Sequence, residues 1–351
     1  MRIGIDISQI VYGTGVSNYT KNLVSALLKI DKKNEYVLFG GSIRRRKELL
    51  NYNAKVFPLS PTIADFVWNR LHTLPIEWLI GKIDIFHSSD WTQPPSHAFK
   101  VTTIHDLAPL RFPNTSHPKI VAVHKRRLEW VKKEVDKIIA VSEFTKREIV
   151  ELLNIEEDRI VVIHEAPNPA FKEVPMVEVL RTLKRYGVKG EYILVVGADP
   201  RKNISAIIQA FKLLKSKLSL VIVGRAFEEI PTTSGVTLLG HIPHEDLAAL
   251  YSGAKALCFA SLYEGFGLPI LEAMQAGCPV VTSNLSSMPE VAGDAAVLVD
   301  PTDPREIAKG LEKVMSEREV WIKRGIERAK KFSWEKTAEE TLRVYMEVIK
   351  Q

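Results

Sequence analysis

The sequence predicts an α/β fold made of two doubly wound parallel sheets. Three observations predict it. Short apolar runs alternate with longer segments of helical period along most of the chain. The alternation stops once, in "HEAPNPAFKEVP" (164–175), which holds three prolines and has no period, and then it restarts. At 351 residues the chain is also too long for one ordinary core, and length alone favours about two domains.

In the first half, "RIGIDIS" (2–8) reads as a strand, followed by a helix over 17–30 with Leu23, Val24, Leu27 and Leu28 at helical spacing. Further strands are predicted at 36–40, 83–89, 101–106, 137–142 and 160–166, with helical segments near 63–80, 117–134 and 142–153. Such alternation implies parallel strands joined by crossover helices. The stretch 164–175 reads as a linker. After it come strands at 192–198, 218–224, 236–240, 256–261, 279–283 and 296–300. Helices near 203–216, 245–253, 269–276, 304–315 and 317–331 alternate with them. A last amphipathic segment, 333–350, has Ser333 as an N-cap candidate. The expected domains are 1–168 and 169–332, with 333–351 returning to the first.

Charged residues make up 26% and hydrophobic residues 46%, a globular balance. The net charge of +6 favours anionic partners without choosing among them. Cys258 and Cys278 both lie in apolar runs, which argues against a disulfide framework or a cysteine metal site. Asp6 interrupts any signal-peptide core, and no apolar run approaches the roughly 18 residues of a membrane span. A cytoplasmic protein is expected.

Ligands of open α/β sheets bind beyond the carboxyl ends of the strands, and domain interfaces favour ligands. Two facing sheets would make a cleft, so the strand ends hold the candidate residues. Gly13 and Gly15 follow the first strand and let backbone approach an anion at a helix start. They fail as a dinucleotide fingerprint, because Asn18 stands at the third glycine, and no P-loop follows. A plain flexible turn explains them as well. His105 and Asp106 end the strand "VTTIHD". The histidine could donate to a hydroxyl or act as acid or base, or it could be structural. No second histidine or cysteine is spaced to share a metal with it. Arg201 and Lys202 lie in a short loop between strand and helix, where they could hold a diphosphate or form a solvated charge pair.

The richest stretch is "YEGFGLPILEAMQAGCPVV" (263–281). Gly265 and Gly267 free the backbone, and Pro269 suits a first helical position. The preceding residues would then present amides at a positive helix end. Glu264 falls on the loop and Glu272 in the first helical turn, eight residues on. On one continuous helix they would point about 80° apart. On a loop and a helix they can reach two ends of one ligand. Glu272 could equally be an ordinary acidic residue in a first turn.

With these residues assembled, the chain closely resembles the retaining glycosyltransferases of family 4, the group 1 glycosyltransferases, whose fold is GT-B: two Rossmann-like domains across a cleft. The E-x7-E motif runs from Glu264 to Glu272, and "AGCPVVTSNLSSMPEVAGDAAVLVDP" (276–301) continues the pattern. The resemblance is stronger in the second half. It implies that Glu264 contacts the donor sugar and that Phe266, Gly267 and Leu268 present amides to sugar and diphosphate, with Gly15 approaching from the other domain. Arg201 and Lys202 would neutralise the leaving diphosphate, Glu272 would hold the ribose, and His105 would lie near the sugar. The turn "GHIP", with His241 and Ile242, would line the base. The sequence departs from the family at Ala198, where many members carry a cation, at Asn203, a common glycine, in the linker, and at Ser17-Asn18, a common Gly-Arg.

The implied reaction is hexosyl transfer from a nucleoside-diphosphate sugar to a glycan or lipid-linked acceptor. Configuration would be retained, by same-face attack, without a metal or other cofactor; the family look leans towards mannose. No nucleic-acid partner is expected. Competing readings are a nucleotide-sugar epimerase or phosphorylase on a related two-domain fold, and a sugar-binding protein without catalysis; the missing third glycine disfavours a dehydrogenase. The segment 119–137 carries a net charge of +4 and, with "RRRK" (44–47), could touch anionic lipid, although a solvated helix face explains it equally.

Overall fold

Parallel strands cannot be joined by tight turns, so each connection must cross a face of the sheet. The computed structural model, which describes residues 1–225 and 233–350, obeys this in two separate sheets. The chain divides into one unit of Met1–Glu165 with Trp334–Gln351 and another of Ala166–Ser333.

The first unit holds β1 (Arg2–Asp6), β2 (Glu35–Gly41), β3 (Lys55–Phe57), β4 (Ile85–Ser88), β5 (Phe99–Ile104), β6 (Lys137–Ala140) and β7 (Ile160–Val162). Their spatial order is β3-β2-β1-β4-β5-β6-β7, and the registered pairs are parallel. The second unit holds β8 (Tyr192–Val196), β9 (Ser219–Val223), β10 (Val236–Gly240), β11 (Ala256–Phe259), β12 (Val280–Ser283) and β13 (Val297–Val299), in the order β10-β9-β8-β11-β12-β13. Central strands such as β8 and β11 are covered on both faces and read as unbroken apolar runs. Ile193, Leu220, Ile222 and Cys258 meet Ile207, Ile307 and Leu311 from the helices in one core.

The helix Trp334–Val348 belongs to the first unit. Trp334 meets Tyr19 edge-on at 5.8 Å, Thr337 donates to the His164 carbonyl at 2.8 Å, and the Tyr345 hydroxyl lies 2.6 Å from His87 Nδ1. Cys258 and Cys278 are both free and buried, and burial pushes both thiols up to about 12.

Three expectations need correction. The helix over 63–80 is interrupted: Pro61–Ala64 runs on into a π-helical stretch, Asp65–Arg70, the helix stops there, and Glu77–Ile80 is a separate short piece. The cause is local: Pro75 has no N–H and restricts the residue before it, and His72 and Leu74 take positive φ of 50° and 63°. The basic segment 119–137 is not one solvated face. Arg127 is 1% exposed and donates to the Ser89 carbonyl, Asp90 and Thr102, while Arg126 is paired with Asp65 at 2.6 Å. Lys137 lies on β6, outside the helix Pro118–Glu134.

The stretch 164–175 has no helix or strand, but buried side chains anchor it at two points. Glu165 is buried in the first unit, and Phe171 is fully buried in the second against the rings of His244 and Tyr251, each at 5.6 Å. The helix Met176–Arg185 went unread because only Val179 and Thr182 are buried on it, while Met176, Val177 and Leu180 are exposed. Phe171→Ala should lower stability by about 3–5 kcal/mol, as for other large buried side chains. Urea denaturation would measure it, and a loss under 1 kcal/mol would show that the segment is not anchored there.

Candidate functional site

The second sheet reverses its order beside β8. Its neighbours β9 and β11 lead to opposite edges, so the carboxyl ends of β8 and β11 are the switch point, the place where open α/β sheets bind ligands. Both cationic and acidic candidates fall on the loops that follow those two strands.

The loop after β8 begins with Gly197 at φ 92°. A Cβ there would lie 2.6 Å from Lys202 Cε, so glycine makes room for the lysine stem. Asp199 caps the turn Pro200–Lys202, and Arg201 Nε donates to its Oδ1 at 3.2 Å. Asn203 takes the left-handed conformation at φ 59°, as a glycine would. Its side-chain amide adds what glycine lacks, donating to the carbonyls of Ala260 at 3.1 Å and Pro301 at 2.7 Å. The Leu262 amide donates to the Arg201 carbonyl at 2.8 Å, joining the two loops. Ala198 packs into the core of the unit.

Lys202 Nζ lies 2.6 Å from Glu264 Oε1 and 4.6 Å from the centre of the Phe259 ring. Both charged side chains are about one-seventh exposed, at 14% and 13%. So sheltered a pair is weakly screened, and removing either partner strands the other. Two serines hold the glutamate loop. Ser286 Oγ accepts from the Glu264 amide at 3.1 Å; Ser287 Oγ makes contacts of 2.9 Å and 2.7 Å with the carbonyls of Glu264 and Phe266.

Gly267, at φ 106°, opens the helix Leu268–Gln275, which has no side-chain cap among the described residues. The first amides of a helix have no intrahelical acceptor and sit at its positive end. Pro269 is the second helical residue. The Phe266 side chain is buried, meeting Phe332 edge-on at 6.1 Å, so it is not available to a ligand. Glu272 is not in the first turn. It is the fifth helical residue, is buried, and accepts from the Tyr251 hydroxyl at 3.1 Å. An acidic residue so placed is not there for the helix dipole. Burial, reinforced by Glu272, pushes the Tyr251 hydroxyl far up, so it remains a donor. Beyond β10, His241 is exposed and Ile242 is buried.

Three candidates belong to the first unit. Gly13 ends a short turn at φ 68°, and Gly15 opens the helix Gly15–Ile30. Thr14 and Ser17 form a reciprocal capping box there, which occupies the amides of both. His105 lies beyond β5, with Nδ1 2.6 Å from Glu165 Oε1 and its ring 4.6 Å from Tyr19. Burial alone would push its pKa down, but the hydrogen bond and charge of Glu165 outweigh it and the net shift is upward. His87, a strand away, is held neutral: burial first, then the charge of His105, push it down to about 3. Sequence reasoning missed Glu165, because it sits in a stretch read as linker, and Ser286 and Ser287, because serines near a turn carry no distinct signal. It also missed Tyr251.

Two family models match the chain. Glycosyltransferase Family 4 covers residues 13–170, and Glycosyl transferases group 1 covers 183–332. The O-antigen chain mannosyltransferase B of Escherichia coli is 32% identical over 95% of this chain and 96% of its own. The chain belongs to glycosyltransferase family 4. This membership makes it a glycosyltransferase and sets aside the reading as a sugar-binding protein without catalysis. Another family relative, the MMP alpha-(1->4)-mannosyltransferase of Mycolicibacterium hassiacum, is 36% identical over 46% of this chain and 44% of its own. The fold is GT-B, like that of a Rickettsia africae glycosyltransferase (TM-score 0.75, 18% identity, 100% of this chain and 99% of that one). Anabaena HepE, solved in complex with UDP-glucose, has a TM-score of 0.73 at 14% identity over 99% of this chain and all of that one.

Two outcomes test the geometry of this glycosyltransferase. Because the folded pKa of His105 is raised, its stabilising contribution is full below the unfolded value near 6.5 and fades as pH rises through the folded value. The stability gap between the wild type and Glu165→Gln, measured in urea, should therefore be widest in mild acid and shrink in alkali. A gap that does not change with pH would contradict the pairing. Asn203→Gly should keep the loop backbone and lose only its two side-chain bonds, costing about 1–3 kcal/mol, whereas Asn203→Ala should cost more through strain at positive φ.

Proposed function

We propose that this glycosyltransferase moves a hexosyl group, mannose in the first instance, from a nucleoside-diphosphate sugar to a glycan or lipid-linked acceptor. Configuration at the anomeric carbon is retained and no metal is needed. The observation that carries the reading is the Lys202–Glu264 pair at the sheet's reversal, with Arg201 beside it and the uncapped start of Leu268–Gln275 following it. Mannose is supported by the names of the relatives.

In this reading Glu264 meets the sugar hydroxyls while Lys202 and Arg201 face the diphosphate. The amides of Phe266, Gly267 and Leu268 add fixed dipoles, and the whole set is preorganised for the charge that develops on the leaving group. Glu272, oriented by Tyr251, takes the ribose hydroxyls, and His241 and Ile242 border the base. Gly13 and Gly15 let backbone approach the diphosphate. His105, turned by Glu165, donates from Nε2 to the sugar. The bond from the anomeric carbon to phosphate breaks with its electron pair on the diphosphate, the acceptor oxygen bonds to the same face, and its proton passes to the leaving phosphate.

A thermal-shift panel of GDP, UDP, ADP, their sugars and the bare nucleosides tests the donor. One diphosphate should stabilise the wild type; Glu272→Ala should abolish that shift, and Lys202→Ala should remove the advantage of the diphosphate over the bare nucleoside. Wild-type shifts in both variants would overturn the assignment. Proton NMR of the product's anomeric centre tests retention.

The same reading places the protein in the cytoplasm, touching the inner membrane surface. No described helix is long and apolar enough to cross a membrane. Lys119, Lys125, Lys132 and Lys133 remain exposed on the helix Pro118–Glu134 for anionic headgroups. Co-sedimentation with anionic liposomes should occur at low salt and fade at high salt; no binding at low salt would end this part of the proposal.

A further inference from the structure

The helix Arg318–Ala329 buries Trp321, Gly325 and Ala329. On another side it carries Lys323, Arg324, Glu327 and Arg328, with Lys331 just past its end, at the spacings of three and four that make helical residues neighbours. With Asp294, from the loop before β13, these residues line a cavity of ≈ 530 Å³ in the second unit. That volume falls within the range of small-molecule sites. None of them belongs to the donor site described above.

The charge on the lining is one-sided. Four cations stand beside two carboxylates, and Glu327 is already taken, with Oε1 2.6 Å from Lys330 Nζ. The exposed Asp294 is the one carboxylate left to oppose an anion. Lys323 and Lys331 are exposed and have no ion pair or hydrogen bond among the described residues.

The two arginines are held in place. Arg328 donates from Nε to the Val291 carbonyl at 2.9 Å and from Nη2 to the Glu290 carbonyl, and its Cζ lies 5.1 Å from the centre of the Phe332 ring. Gly293 permits this approach: at φ 57° it has no side chain, and a Cβ there would stand 3.2 Å from Arg328 Cζ. Nη1 has no acceptor among the described residues, so its donors remain to be filled. Burial, the largest influence, holds this guanidinium below the ordinary arginine range, and an anion beside it would offset that cost. Arg324 lies over the Trp321 ring, 5.1 Å from its centre.

Fixed guanidiniums flanked by ammoniums suit a phosphate, whose oxygens accept in pairs from arginine and whose second charge is met by lysine. Among the described residues Val320 is the only apolar side chain on the lining, and no aromatic ring lies there to stack a base. A small phosphate ester fits these walls better than a nucleotide does.

We propose that this cavity is a phosphate site separate from the donor site, taking the phosphomonoester of a small ligand on Arg324, Arg328, Lys323 and Lys331. A soluble ester and the headgroup of an anionic phospholipid share that chemistry. The proposal does not depend on the transferase reading.

Phosphorus NMR on the full chain tests it, with glycerol 3-phosphate as the probe. The probe's resonance should broaden on titration with the wild type. In Lys323→Ala/Lys331→Ala the dissociation constant should rise about tenfold, roughly 1.4 kcal/mol. The melting temperature of that variant should stay at the wild-type value, because both lysines are exposed and unpaired. Lys202→Ala should bind the probe as the wild type does. No broadening with the wild type, undiminished binding in the double variant, or an equal loss in Lys202→Ala would each overturn the proposal, the last by putting the phosphate at the donor site. Co-sedimentation with vesicles of phosphatidic acid in phosphatidylcholine separates the two sources. Vesicle binding that the double variant loses upholds the site with a lipid headgroup as its ligand. Probe binding that the double variant loses, with vesicle binding absent or unchanged, upholds it with a soluble ester and leaves any membrane contact to the lysines of the first unit.

Discussion

Strand order is the constraint on which the rest depends. A parallel sheet must be wound by crossovers, and where the chain returns to the far side of its starting strand it leaves a switch point at the carboxyl ends, the place where open α/β sheets bind ligands. Here this happens twice, at β1/β4 and at β8/β11. No side chain has to be spent on making either one. The sequence has only to furnish the loops, and at β8/β11 it furnishes them with two cations, a carboxylate and a helix start.

The Lys202–Glu264 pair shows how such a loop is made stiff. Its two residues are 62 positions apart, and each is held by neighbours whose identity follows from backbone geometry. Gly197 clears the lysine stem, Asn203 carries a left-handed residue and ties the loop to two carbonyls, and the serines after β12 hold the glutamate's own backbone. The charges are thus set before any ligand arrives, the condition under which fixed dipoles stabilise developing charge most strongly.

Much of this was legible in the sequence, for a physical reason. Parallel strands buried on both faces leave unbroken apolar runs, and crossover helices leave a period near 3.6, so β8, β11 and the helix Gly15–Ile30 announce themselves. Gly267 and Pro269 marked the helix start for the same local reason. What was not legible is pairing at a distance. Glu165 looked like linker because its partner His105 lies 60 residues away, and Arg127 looked like one of many surface cations until its partners Ser89, Asp90 and Thr102 surrounded it. Glu272 was placed one residue too early, within the first turn, because the proline was given the first helical position, and Leu268 holds it. The three-residue β3 and the largely exposed helix Met176–Arg185 bury too little to leave a pattern.

The closing helix carries a consequence for how the protein is made. Trp334, Thr337 and Tyr345 complete the first unit, and the Tyr345 hydroxyl supplies one of the two partners of the buried His87, at Nδ1. On the ribosome the first unit therefore emerges with that flank uncovered, and the whole of Ala166–Ser333 must be synthesised before its last element exists. At about 5–20 residues per second the wait is on the order of ten seconds or more, long enough for the second unit to fold first. The unit whose sequence begins earliest is the one that finishes last, and until then Tyr19 and His87 wait for the side chains that cover them.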